Sequence, residues 1–112
     1  MVVANDANPV RCYTLVKRCA HLGSAAAAVA VTCHRAQRLP RPAAGYDRIV
    51  CDVPCSGDGT VRKQPEVFAR WEPLLGLRLH ALQLQIAMRG AALLRVGGMM
   101  AYRCDRSQHA TV

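Results

Sequence analysis

The run Arg48-Ile49-Val50-Cys51, opening into Asp52-Val53-Pro54-Cys55-Ser56-Gly57-Asp58-Gly59-Thr60, constrains the fold more than any other part of the chain. An apolar stretch of strand length is followed at once by an acid, a proline, a thiol and glycines. That order describes a buried strand ending in a loop, and in open α/β sheets ligands bind at the carboxyl ends of strands. Pro54 fixes the backbone ahead of the thiol, and Gly57 lets a ligand approach the main chain. Cys55 therefore reads as a reactive group being aimed. The alternative is a polar turn that happens to hold a cysteine.

The elements around this loop alternate. Met1-Val2-Val3-Ala4 reads as a strand ending at Asn5-Asp6. A helix is predicted from residue 8 or 9 to 22, with Asn8 as cap, Pro9 in the first turn and Gly23 as the stop. The alanines at 25–28 carry no period, whereas Ala28-Val29-Ala30-Val31-Thr32 reads as a short buried strand. Residues 34–45 form a loop, marked by Pro40 and Pro42, and 46–51 the next strand. A turn of helix is expected over 66–71. A long helix over 74–94 follows, its apolar stripe carrying Leu75, Leu79, Leu82, Ile86 and Leu93. Gly97-Gly98 is expected to end that helix, and Met99-Met100-Ala101-Tyr102 to begin the last strand. Strand, helix, strand, loop, strand, helix, strand is an α/β order with parallel pairing.

A chain of 112 residues is at most one small domain or part of a larger one. Aromatic residues are only 4%, so the core must be built from Ala, Val, Leu, Ile and Met. Fifteen Lys and Arg against seven Asp and Glu leave a net charge of +8, which favours an anionic partner, nucleic acid being the commonest. No apolar run approaches the roughly 18 residues of a membrane span, and the N-terminus lacks a secretory pattern. The six cysteines (12, 19, 33, 51, 55 and 104) are then expected as free thiols in a reducing, intracellular compartment. They offer no paired C-x-x-C knuckles, and His21 and His34 have no partner pattern, so no metal is expected. The same spacing argues against a redox or metal-binding cysteine protein. Cys12, Cys19, Cys33 and Cys51 are most simply small buried apolar residues.

Four ordered motifs carry a more specific signal: Asp52-Val53-Pro54-Cys55-Ser56-Gly57, Leu79-His80-x-x-Gln83, Arg89-Gly90, and Gly97-Gly98-x-x-x-Tyr102. Together they resemble the RsmB/Nop/Sun family of RNA (cytosine-5)-methyltransferases. The run from Val50 through Lys63 looks most like its eukaryotic tRNA branch, and the likeness extends from Val3-Ala4-Asn5-Asp6 and Arg11-Cys12-Tyr13 to Tyr102. The resemblance implies a Rossmann-like fold, S-adenosylmethionine as methyl donor, RNA (most simply tRNA) as partner, and a nuclear or nucleolar location. It implies covalent catalysis, in which a cysteine thiolate adds to cytosine carbon-6. Cys55 matches the family's cysteine associated with resolving the RNA adduct. Asp52 matches the acid that hydrogen-bonds the pyrimidine or orients the cofactor, and Asp6 matches the acid that holds the cofactor ribose. Asp6 can also be read as a helix-capping acid, a task open to Asn8.

The chain also departs from that pattern. The family nucleophile lies in a Thr-Cys-Ser motif after the Gly-Gly strand, but here Tyr102 is followed by Arg103-Cys104-Asp105. Counted from Gly97-Gly98 without a gap, the nucleophile's place falls on Asp105. Cys104, one residue early, is turned to the opposite face unless a local bulge realigns it. An acid near the adenine is replaced by Arg35. The resemblance places the cofactor's glycine-rich loop before Met1. These departures predict a fragment: a partial α/β fold lacking its first central strand, a partial catalytic domain over 1–104 with a divergent polar tail over 105–112, and little activity by itself.

Arg62 and Lys63 are candidates for RNA phosphates, or a solvated basic turn. His80 and Gln83 either line an RNA-facing cleft or occupy the helix surface. Phe68 and Trp71 either stack on a base or pack beneath the loop. The rival function is a catalytically dead remnant that still holds RNA through Arg35, Arg38, Arg41, Arg62 and Lys63.

Overall fold

The structure, a computed structural model, describes residues 1–54 and 73–104, with side chains from residue 79 onward in the second stretch. The chain divides into two compact units, Met1–Arg41 and Pro42–Val112. In the first, strand β1 (Val2–Asn5) pairs in parallel with β2 (Val29–Thr32), in register from Val2↔Val29 to Asn5↔Thr32. Helix α1 (Pro9–Ala20) makes the crossover. Its start is the one the sequence prescribes: Pro9 spends no helical N–H, and the Asn8 side chain accepts from the Val10 N–H at 2.9 Å. The helix stops at Ala20, slightly short of the predicted end. Gly23, at φ +59°, begins a 3₁₀ stretch over Gly23–Ala28, which the alanine run did not announce. A second 3₁₀ turn, Ala36–Arg38, lies within the predicted loop.

In the second unit, β3 (Tyr46–Asp52) pairs in parallel with β4 (Leu94–Arg103), and α2 (Pro73–Leu93) precedes β4 directly. Here the expected helix-to-strand boundary is corrected. Gly97-Gly98 does not end the helix; α2 stops at Leu93 and Leu94 is already paired with Tyr46. Register then slips, since the next partners are Arg48 and Met99, so 95–98 form an excess loop in β4. Gly97 supplies the φ of +79° that this bulge requires. Arg95 is tied to Asp47 through Nε and Oδ1, closing the bulge against β3. From Arg48↔Met99 to Asp52↔Arg103 the ladder is regular.

The helix packs on this pair at Gly90, where a Cβ would lie 2.8 Å from both Cys51 Sγ and Met100 Sδ. Around that contact Cys51, Val53 and Leu93 are buried, with one polar side chain, Gln83, among them. Cys12 and Cys51 are buried thiols as expected, but Cys19 is half-buried and Cys33 exposed, which corrects their assignment to the core. The predicted turn at 66–71 lies outside the described residues. Among the described residues no helix is long and apolar enough to cross a membrane.

Candidate functional site

The carboxyl ends of β3 and β4 bring Asp52, Val53 and Pro54 together with Cys104. Asp52 pairs with Arg103, and the Val53 N–H donates to the Arg103 carbonyl at 3.1 Å, carrying the ladder one residue past the strand. Val53 is buried, while Asp52 and Arg103 project outward with their charged groups 3.8 Å apart. At that exposure the ion pair contributes little, and the carboxylate remains open to a ligand. Alternation from Met100 turns the half-buried Cys104 toward α2. There it meets Gln83, whose Nε2 lies 3.5 Å from Cys104 Sγ and donates to the Pro54 carbonyl at 2.8 Å. The bulge lies ahead of Met99, so nothing in the regular part of the ladder moves Cys104 along by one residue.

Burial pushes the Cys51 thiol up. Tyr102 is raised by burial first, then by the nearby Cys104 and Cys51. Cys55, Arg62, Lys63, Phe68 and Trp71 lie outside the described residues. His80 is exposed on α2. Gln83 is the residue whose importance the sequence understated: instead of lying on the helix surface it is 6% exposed.

In the first unit, Asp6 follows β1, and its Oδ1 accepts from the Asn8 N–H at 2.8 Å. Asn8 itself takes the helix-capping bond, so Asp6 is not the cap. Its other oxygen is 3.8 Å from the Arg11 guanidinium, and its side chain is 26% exposed. Asn5, which sequence reasoning did not single out, knits the strand ends together. Its Oδ1 accepts from Thr32 Oγ1 at 2.9 Å and from the His34 N–H at 3.0 Å, and its Nδ2 donates to the His34 carbonyl at 2.9 Å. An amide where a strand runs into a turn was the available signal. Cys12 Sγ lies 3.3 Å from the Asp6 carbonyl and 3.5 Å from the Thr32 carbonyl, so its one S–H, shared between them, anchors α1 at the strand ends. Arg35 is exposed just beyond β2. A cavity of about 380 Å³, lined by Cys12, Tyr13, Val16, Val31, Thr32 and Cys33, lies between α1 and β2. Among the described residues no group of three or more His, Cys, Asp or Glu could hold a metal ion.

Residues 1–108 match the family model of the 16S rRNA methyltransferase RsmB/F. The chain belongs to that family. Relatives of this RsmB/F chain include the tRNA (cytosine(34)-C(5))-methyltransferase of Drosophila melanogaster, 39% identical over 111 residues, covering 90% of the chain and 15% of the relative. The multisite-specific tRNA:(cytosine-C(5))-methyltransferase of Saccharomyces cerevisiae is 44% identical over 112 residues, covering 90% and 16%. The chain thus spans about one sixth of the length of these relatives. The crystal structure of PH0851 superposes with a TM-score of 0.82 at 23% identity, covering 94% of this chain and 24% of that one. That likeness concerns the fold, and it agrees with an RsmB/F chain built as an α/β structure with parallel strands.

Proposed function

We propose that this chain forms part of the catalytic core of an S-adenosylmethionine-dependent RNA (cytosine-5)-methyltransferase whose substrate is tRNA. The observation that carries the reading is the parallel pairing of Asp52 with Arg103, because it sets the run leading into Cys55 beside Cys104. Family membership and the tRNA enzymes among its relatives support the substrate class.

The chemistry accounts for the residue types. Cytosine carbon-5 is too weak a nucleophile to take a methyl group unaided. A thiolate adding to carbon-6 makes carbon-5 enamine-like; carbon-5 gains the methyl, a base removes its proton, and the carbon–sulfur bond breaks to return the thiolate. S-adenosylmethionine, when bound, supplies the electrophilic methyl. Asp6 fits its ribose: one carboxylate oxygen is committed to Asn8, and the remaining lone pairs can accept hydroxyls. Arg35 does not fit the acid expected near the adenine. Asp52 grips the pyrimidine edge or orients the cofactor, Cys55 resolves the adduct, and Arg62 and Lys63 hold phosphates. With Cys104 one residue short of the nucleophile's place and Arg35 inverting a charge, the chain assayed by itself transfers little or no methyl.

The test uses tRNA carrying 5-azacytidine, which traps a thiolate added at carbon-6. The wild-type chain is expected to give little covalent complex on a denaturing gel. The variant Cys104→Thr with Asp105→Cys, which restores the family spacing, is expected to give a clear one. Salt-sensitive tRNA binding with no adduct from either chain would favour the remnant reading instead, the one suggested by the exposed Arg35 and Arg38. Failure of both chains to bind tRNA would overturn both readings.

A further inference from the structure

We propose that Gln83 is a positioning residue of this site, a clamp whose single amide nitrogen holds the Pro54 carbonyl and the Cys104 sulfur together. The inference rests on reading the β3–β4 edge as a methyltransferase site, since that gives the clamp something to position.

Gln83 occupies a stripe of α2 shared with Leu79, Ile86 and Gly90, where a leucine would pack without any polar demand. A buried amide there costs free energy unless its hydrogen bonds are made. Its donors are used: Nε2 carries two N–H groups, and its two neighbours are the Pro54 carbonyl at 2.8 Å and Cys104 Sγ at 3.5 Å. Those neighbours are 29 and 21 residues away in the chain, each just beyond the paired ends of β3 and β4. Among the described residues the last ladder bond at this edge runs from Val53 to Arg103. Pro54 has no N–H with which to extend it. Among the described residues past that point, Gln83 bridges the two strand ends.

The consequence is orientational. Fixing the Pro54 carbonyl fixes the plane of the peptide that joins Pro54 to Cys55, because the peptide group is planar. Holding Cys104 on the same nitrogen sets the far strand end against it. No other side chain of this length supplies two neutral donors from one atom: methionine and leucine offer none, and an ionised glutamate can only accept.

The test uses the 112-residue chain without RNA or cofactor, comparing wild type with Gln83→Met, which fills similar volume but donates nothing. Amide hydrogen exchange at Val53 is expected to quicken roughly 25-fold in the methionine variant, about the worth of two hydrogen bonds. Alkylation of Cys104 by iodoacetamide should rise several-fold. The Asp6 amide, bonded to the Thr32 carbonyl in the other unit, and the Cys19 thiol should keep their wild-type rates and so report an intact fold. Removing an acceptor provides a second route: Cys104→Ala should loosen the Val53 amide roughly fivefold, and Cys104→Ser, which again offers an acceptor, should restore it. Wild-type exchange and alkylation in Gln83→Met, or equal exchange in the alanine and serine variants, would overturn the clamp. Because none of these readouts involves RNA, a failed clamp leaves the azacytidine assay unaffected, and a failed adduct leaves the clamp standing.

Discussion

At the residue scale, exposure and reactivity part company at Cys33. Its thiol is exposed beyond β2, yet it is held above the ordinary value of 9.0, first by the side-chain interaction with the neighbouring Cys12 thiol, then by desolvation and by the charges of Cys12 and Asp6. Each of these effects favours the protonated thiol in the folded chain. The sign of the linkage follows: the contribution to stability is fully present below 9.0 and is lost as pH rises through the elevated folded value. Iodoacetamide should therefore alkylate Cys33 with a midpoint on the alkaline side of 9.0. Cys12→Ala removes the largest cause, so the midpoint should fall back toward the ordinary thiol value. A profile identical in the two proteins would mean that Cys12 does not govern its neighbour.

At the element scale the deciding contact is Gly90, where α2 lies directly on Cys51 and Met100. Replacing this last-turn glycine with alanine gains at most about 1 kcal/mol of helix propensity, but a Cβ at 2.8 Å from two sulfurs overpacks the contact at about 1–3 kcal/mol. Gly90→Ala should be destabilising by about 1 kcal/mol and Gly90→Val by more, read from urea unfolding. Cys51→Ala in the same chain should recover part of the loss, a coupling that a double-mutant cycle measures. Local signals made much of this architecture legible. Asn8 and Pro9 start α1 by capping chemistry, whereas its end is capped at His21 and the expected stop, Gly23, opens the 3₁₀ stretch instead; the apolar run before Asp52 marks β3. The junction at Leu93 was not legible, because Leu93, Leu94 and Val96 continue an apolar pattern that suits either state. What ends α2 there is the pairing of Leu94 with Tyr46, a partner 48 residues back whose claim on Leu94 no local window can register. Gln83 was half legible: its spacing from Leu79, Ile86 and Gly90 puts it on the buried face, but its polarity argued for the surface. Two acceptors from distant segments resolved that conflict. The motif residues were identified through the family pattern rather than through physics alone, since nothing local distinguishes Asp6 as a ribose ligand from Asp6 as a turn acid.

At the scale of the whole molecule, each unit is a parallel pair with a helical crossover, and each leaves strand side chains such as Val2 and Val50 largely exposed. Parallel strands are ordinarily covered on both faces. The match to PH0851 covers only 24% of that chain, so most of that fold has no counterpart in these residues. What the 112 residues carry as a whole is charge: +8, with Arg35 and Arg38 exposed in the first unit and Arg62 and Lys63 following the cysteine loop in sequence. If those cations and Arg41 meet RNA phosphates, binding should be driven by released counterions. Five such contacts give a slope of log affinity against log salt of roughly −4, so tRNA affinity should fall by about two to three powers of ten between 50 and 200 mM salt. Filter binding across that range reads the slope directly. Replacing Arg35 and Arg38 together by alanine should make the slope shallower by about 1.6 while leaving the chain folded, because each phosphate contact contributes roughly 0.8. A flat response in the wild-type chain would remove phosphate contact as the basis of recognition, leaving the net charge without a bearing on RNA.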